Sequence, residues 1–180
     1  MKVISLNIGK HTELVRRGKT IGTGIYKSSV TGPIFLDKEN VENDLVIDRK
    51  NHGGIDQAVY AYGHNHYQFW KEKYPLLDFS NGFFGENLTV SNLDETKVHV
   101  GDIYELGETV IQVTKPRKPC YKLGIRFNDT AVIKQFWNTT KSGVYFRILQ
   151  TGKVAVEDEF KLIEKAKDSP SIAEVFRSKK

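Results

Sequence analysis

Short apolar runs, alternating with or bordering polar residues, recur along the whole chain at residues 3–8, 24–30, 58–62, 87–90, 97–100, 103–106, 109–114, 145–149 and 160–163. Most are rich in β-branched and aromatic residues and have the length of a strand. Gly32-Pro33, Asn81-Gly82, Gly101-Asp102 and Gly107-Glu108 stand between them, where a reversing chain uses glycine's freedom or proline's fixed φ. Many short strands at this spacing predict a mainly β fold, a barrel or a sandwich.

Helices are expected to be few and peripheral. Asp129 is a cap residue for segment 130–137, on which Val132, Ile133, Phe136 and Trp137 share one face. Tyr67, Trp70 and Tyr74 form a stripe that reads as core packing rather than as a cofactor box. Ser169-Pro170-Ser171 with Glu174 reads as the start of a helix running only to Lys180, since Pro is tolerated in a first turn and Glu reaches back to a cap. No repeat, low-complexity stretch or linker divides the chain, so one domain is expected.

Composition narrows the picture. A chain of 180 residues, 39% hydrophobic, is long enough to sustain one packed core. Its 27 Lys and Arg against 22 Asp and Glu leave a net charge of +5, which favours anionic partners without choosing among them. The basic residues are dispersed and interrupted by carboxylates, unlike the basic stripe with interleaved aromatics of a nucleic-acid binder. A single cysteine cannot form an internal disulfide, the start Met1-Lys2-Val3-Ile4-Ser5 lacks a secretory apolar segment, and no apolar run reaches the roughly 18 residues that span a bilayer. A soluble cytoplasmic protein with neither nucleic-acid nor membrane partner is expected.

That one cysteine, Cys120, lies in the most unusual segment, Gln112-Val113-Thr114-Lys115-Pro116-Arg117-Lys118-Pro119-Cys120-Tyr121-Lys122. The two prolines stiffen the loop and hold Arg117 and Cys120 in place. Lys115, Arg117, Lys118 and Lys122 favour thiolate over thiol, and with it nucleophilicity and affinity for soft metals. The competing reading is a buried structural cysteine, which four neighbouring cations make less apt because charge is costly to bury. A second cluster, His52-Gly53-Gly54-Ile55-Asp56-Gln57-Ala58, sets a histidine beside glycines that let backbone approach a ligand, although Gly-Gly is more often an ordinary turn. In a third, Phe83-Phe84-Gly85-Glu86-Asn87-Leu88, Asn87 is either a ligand-fixing group or a backbone cap. His64 and His66 with His52 imitate a zinc set, but their segment looks like a helix start, where that spacing diverges. Phosphate-loop, dinucleotide-fold and nucleophile-elbow patterns are missing, which disfavours kinase, dehydrogenase and serine hydrolase readings.

In their order and separation the three clusters resemble the MOSC family, named for the C-terminal domain of molybdenum-cofactor sulfurase, and within it the YiiM-like branch. The resemblance runs from Thr23-Gly24-Ile25-Tyr26-Lys27 through Asp48-Arg49-Lys50-Asn51-His52-Gly53-Gly54, Phe84-Gly85-Glu86-Asn87-Leu88-Thr89, Gly101-Asp102 and Pro116-Arg117-Lys118-Pro119-Cys120 to Gly143-Val144-Tyr145-Phe146-Arg147-Ile148-Leu149, nearly the whole chain. It implies a MOSC-type β-barrel over residues 1–165, with residues 166–180 beginning a helical C-terminal extension. It also implies a cleft for the molybdenum cofactor (molybdopterin), with Cys120 as sulfur ligand to the metal and Lys27, His52, Gly53, Asn87 and Arg117 lining it. Arg117 is the phosphate candidate because its planar fork binds two oxygens at once. The implied activity is reduction of N-hydroxylated compounds such as hydroxylamino purines, with Cys120 and His52 as catalytic residues, His52 the proton donor. The alternative is a sulfur-carrier module with a persulfide on Cys120. Pyridoxal phosphate is not expected, since no Schiff-base lysine is identifiable.

Three departures from the branch pattern carry structural expectations. Asn43 replaces a usual glycine before Asp44, and its tolerance of positive φ preserves the turn. Glu157 stands where a Gly-Asp turn is usual, which puts that turn's geometry in question. The chain stops at Lys180 where longer members continue into an extension linked to electron delivery, so a separate electron-donor reductase is expected.

Overall fold

The computed structural model describes residues 1–16, 18–45 and 53–179. Eight strands make the main sheet: β1 (Val3–Gly9), β4 (Lys27–Ser29), β6 (Val59–Gly63), β7 (Leu88–Val90), β8 (Ile103–Leu106), β9 (Thr109–Pro116), β10 (Val144–Gln150) and β12 (Lys161–Glu164). They lie in the order β12-β8-β9-β10-β6-β7-β1-β4. Every neighbouring pair is antiparallel except β6 with β7. Two smaller sheets pair β2 (Thr12–Arg16) with β3 (Lys19–Thr23), and β5 (Ile34–Leu36) with β11 (Gly152–Val154).

Period-two alternation gives the main sheet two different faces. In β6, buried along its whole length, Val59 and Ala61 enter an aliphatic core with Val3, Ile111, Val113, Val144, Phe146 and Ile148. Tyr60 and Tyr62 enter an aromatic core on the other face, with Tyr67, Trp70, Phe79, Phe83, Phe84, Phe127 and Phe136. The β5–β11 pair closes the aliphatic face through Ile34, Leu36 and Val154. Helices α1 (Tyr67–Lys73), α2 (Tyr121–Arg126) and α3 (Val132–Trp137) supply the aromatic one. Helix α4 (Ile172–Arg177) contributes to both, Ile172 to the aliphatic core and Phe176 to the aromatic one.

The fold is mainly β, as the alternation predicts, but the barrel is not. Strands β12 and β4 occupy opposite edges and no pairing joins them among the described residues, so the sheet stays open. The aliphatic face is covered by the separate β5–β11 pair rather than by closure of the main ladder. Residues 97–100, expected as a strand, form a turn tied to the chain's end by an isolated bridge from His99 to Ser171. The hairpin β2–β3 and the strands β5 and β11 are additions to the expected set.

The predicted helices are present with shifted starts. Asp129 accepts from the amide of Ala131 at 2.8 Å and α3 begins at Val132. Ser171 caps α4 in a reciprocal box with Glu174. Tyr67 and Trp70 are core, as their stripe suggests. Among the described residues no helix is long and apolar enough to cross a membrane.

Candidate functional site

Strand β9 ends at Pro116, and the next four residues lead into α2. Cys120 takes the cap position of α2 with extended backbone, φ −120° and ψ 168°, and its side chain is partly exposed. Arg117 and Lys122 on either side are buried, at 6% and 7% exposure. The Arg117 guanidinium lies over the rings of Tyr60 and Phe136, at 5.4 and 5.8 Å from their centroids. Burial disfavours its charge, but nearby Tyr60, Tyr145 and Cys120 outweigh that and hold its pKa above the ordinary arginine value. Burial in turn pushes the Tyr145 phenol up against the pull of Arg117, so it stays protonated.

Two features of this wall call for an anion. The Nη1 of Arg117 is buried without a hydrogen-bond partner among the described residues. Neither Arg117 nor Lys122 has a carboxylate within ion-pair distance among them. A buried cation lacking a countercharge is costly, and an arriving oxyanion removes that cost.

The facing wall is built differently. Lys27 of β4 is ion-paired with Asp44, their side chains only 7% and 3% exposed. Asp44 also accepts from the Gly9 amide at 2.7 Å and from Asn87 Nδ2 at 3.0 Å. The second hydrogen of that Asn87 amide goes to the Asn7 carbonyl at 3.3 Å, while its Oδ1 accepts from the Tyr60 amide at 3.4 Å. Burial lowers the Lys27 pKa, with Asp44 pulling the other way. Two close backbone approaches fix this wall. A Cβ on Gly24 would stand 1.9 Å from the Leu45 carbonyl oxygen, so the segment bearing Asp44 packs directly on it. Gly82, at φ +84°, lies so close to β4 that a Cβ there would stand 2.9 Å from the Lys27 carbonyl oxygen. Glu86, fully buried in that loop, takes hydrogen bonds from Tyr67, Thr89 and the amides of Gly82 and Phe84, and so holds Asn87 in place.

Between the walls lies an open cleft with about 670 Å³ of empty volume, part of it continuous with solvent. Ile25, Leu45, Ala58, Phe84 and Gly85 give it an apolar side. Of the residues singled out in the sequence, Lys27, Gly53, Asn87, Arg117 and Cys120 all line this one cleft. His52 lies outside the described residues. Asp44, Tyr60 and Tyr145 also line it and were not singled out as site residues. Tyr60 and Tyr145 read as ordinary strand residues, and only the spacing of Asn43-Asp44 from the family pattern pointed toward Asp44. The four cations expected around the thiol divide: Arg117 and Lys122 line the cleft, whereas Lys115 is a β9 residue outside it and Lys118 is exposed. His66 takes no part in a metal set, because it is buried against Glu95 at 2.9 Å. Among the described residues no three His, Cys, Asp or Glu side chains converge on a point. Cys120 is thus suited to give one sulfur ligand to a metal that arrives with ligands of its own.

The MOSC domain family model matches residues 48–161. YflK of Bacillus subtilis, an uncharacterized protein, is 41% identical over 94% of this chain and 76% of its own length. The protein YiiM of Escherichia coli is 35% identical over 81% of this chain and 66% of its own. A fungal protein of Gibberella moniliformis named reductase is 35% identical over 89% of this chain, which spans 29% of that protein. Among solved structures, YiiM of Geobacillus stearothermophilus superposes with a TM-score of 0.80 at 32% identity, covering 97% of this chain and 81% of that one.

Proposed function

This chain belongs to the MOSC domain family, and from that premise we propose that its cleft holds the molybdenum cofactor and that the protein is an oxidoreductase reducing N-hydroxylated compounds such as hydroxylamino purines. The observation that carries the reading is the pairing of a partly exposed thiol, Cys120, with two buried cations that have no carboxylate partner among the described residues, Arg117 and Lys122. A soft sulfur donor beside an unmatched positive wall suits a metal-bearing, phosphate-bearing ligand. The fungal relative's name, reductase, supports an oxidoreductase role.

When bound, the cofactor supplies two-electron redox chemistry, which no protein side chain here provides. Cys120 would hold the metal through its sulfur. Arg117 offers two parallel N–H donors to phosphate oxygens, with Lys122 adding charge. Gly53 and Asn87 would shape the cleft around the ligand, and Ile25 and Phe84 would give it an apolar side. Reduction of an N-hydroxylamine breaks its N–O bond, consumes two electrons and two protons, and releases an amine and water. The electrons come from an external reductase. His52 is assigned as a proton donor, its ordinary pKa lying near neutrality.

The test is metal and released-pterin analysis of protein made in a host competent for molybdenum-cofactor synthesis, wild type beside Cys120→Ala. Near-stoichiometric molybdenum and pterin in the wild type, with metal lost from the variant, is the expected result. Absence of both from the wild type would overturn the reading, and a cyanide-labile sulfur on Cys120 would then favour the sulfur-carrier role.

A further inference from the structure

We propose that Asp44 divides the cleft into two electrostatically distinct subsites, and is the residue that decides which end an anionic group occupies. One subsite, Lys27–Asp44–Asn87, is polar but neutral. The other, Arg117 and Lys122 beside Cys120, is cationic. The inference deepens the cofactor reading of the same cleft.

The neutral subsite follows from its hydrogen bonds. Asp44 cancels the charge of Lys27 at direct contact, where both side chains are almost wholly buried and screening by water is weak. Both amide hydrogens of Asn87 are spent, on Asp44 and on the Asn7 carbonyl, so none is left for a phosphate oxygen. The carboxylate is held in place by the Gly9 amide at 2.7 Å and by the packing of Gly24 on Leu45, so it cannot withdraw to release a free ammonium. A lysine expected to line the cofactor cleft is therefore internally matched. What it still offers is spare N–H donors, which suit an uncharged oxygen or nitrogen. The cationic wall has the opposite character: two buried positive groups, no carboxylate partner among the described residues, and the unbonded Nη1 of Arg117. The phosphate end of a ligand then belongs at Arg117 and Lys122, and an uncharged end, such as the hydroxylamino group of a substrate, at Lys27.

The experiment uses the full chain, produced without cofactor, titrated with inorganic phosphate at low ionic strength by calorimetry. Arg117→Met is expected to weaken phosphate binding by about tenfold or more, the loss of a charge-assisted bidentate contact. Lys27→Met leaves the Asp44 carboxylate unpaired, a negative charge that opposes phosphate, and is expected to weaken binding by about threefold, less than the loss in Arg117→Met. Asp44→Asn is expected to tighten it by about threefold or more, since it unmasks Lys27. The double variant Lys27→Met with Asp44→Asn removes both charges together, a change buried pairs tolerate, and is expected to bind as wild type does. It keeps the test decisive if Asp44→Asn alone does not fold. The proposal is overturned if Lys27→Met weakens binding as much as Arg117→Met, if folded Asp44→Asn fails to tighten it, if the double variant binds much more weakly than wild type, or if the wild type binds no phosphate. Phosphate binding as predicted in a protein that never acquires molybdenum would sink the cofactor reading and leave the two subsites standing.

Discussion

Lys27 and Lys122 are buried lysines lining the same cleft, yet among the described residues one faces a carboxylate and the other does not, and that difference in partner gives them different chemistry. Partners also decide what positive φ costs. Asn43 and Glu157 both sit in the left-handed region, at φ 62° and 77°. Asn bears this readily, whereas a glutamate there is strained. The turn at Glu157 nevertheless holds, its amide donating to the Val3 carbonyl at 2.9 Å and its side chain pairing with Lys2 at the surface. Glu157→Gly keeps the backbone bond, relieves the strain and loses only a solvent-exposed ion pair. It is expected to raise stability by about 0.5–1 kcal/mol, read as a higher urea midpoint at unchanged slope. At this scale the sequence was informative wherever a residue type is chemically unusual in its setting. Cys120 between prolines and cations, and Asn43 and Glu157 in glycine positions, are of that kind. Asp44 is an ordinary aspartate in a turn, and its importance comes from Gly9, Lys27 and Asn87, which only the fold brings to it.

Among the elements, α4 shows how a terminal helix reaches the site without touching it. Its Phe176 packs on Phe136 and stacks with Trp137, at centroid distances of 6.1 and 4.7 Å, and Phe136 in turn lies beneath Arg117. The helix has only six residues and depends on its cap, Ser171, whose Oγ accepts from the Glu174 amide at 3.2 Å. Ser171→Ala is expected to cost about 1 kcal/mol of stability. If α4 supports Arg117 as the packing indicates, phosphate affinity in the calorimetric titration should fall along with it; unchanged affinity would show that Phe136 is held adequately by its stack on Trp70. The capping box was readable from Ser171 and Glu174 because cap chemistry is local. Strands β8 and β10 were readable from alternation for the same reason. The hairpin β2–β3 was not: Thr12, Glu13, Thr20 and Gly22 interrupt its apolar positions, and its pairing is set by the partner strand. Strands β5 and β11 are three residues each and become strands only through each other.

Across the whole molecule, the sheet stays open, and the cleft is framed by residues from β4, β6, β10 and the loops before β7 and after β9. Such an open architecture depends on long-range ties in place of barrel closure, and Asp102 is one of them. Its side chain is fully buried and accepts from Lys165 Nζ at 2.8 Å, the His99 amide at 2.9 Å and the Ala166 amide at 3.0 Å, binding the segment before α4 to the turn before β8. Burial acts to raise its pKa, but the bonds from Lys165, His99 and Ala166 prevail and hold it below the ordinary value of 3.8. The sign follows by linkage. A carboxyl with a lower pKa folded than unfolded contributes its stabilisation in full above the unfolded value and loses it as pH falls through the folded one. Glu86 acts in the opposite sense, since burial raises its pKa against the donors around it, so acidification relieves rather than removes. Asp102→Asn is therefore expected to destabilise the protein at neutral pH, where the tie is intact, and to cost progressively less as pH falls below the ordinary carboxyl value of 3.8 and the wild-type carboxyl protonates as well. Urea unfolding of both proteins across that range is the measurement. A destabilisation that stays constant with pH would mean that Asp102 acts through shape and neutral hydrogen bonds, and that the charge of Lys165 contributes nothing to holding the chain's end on the sheet.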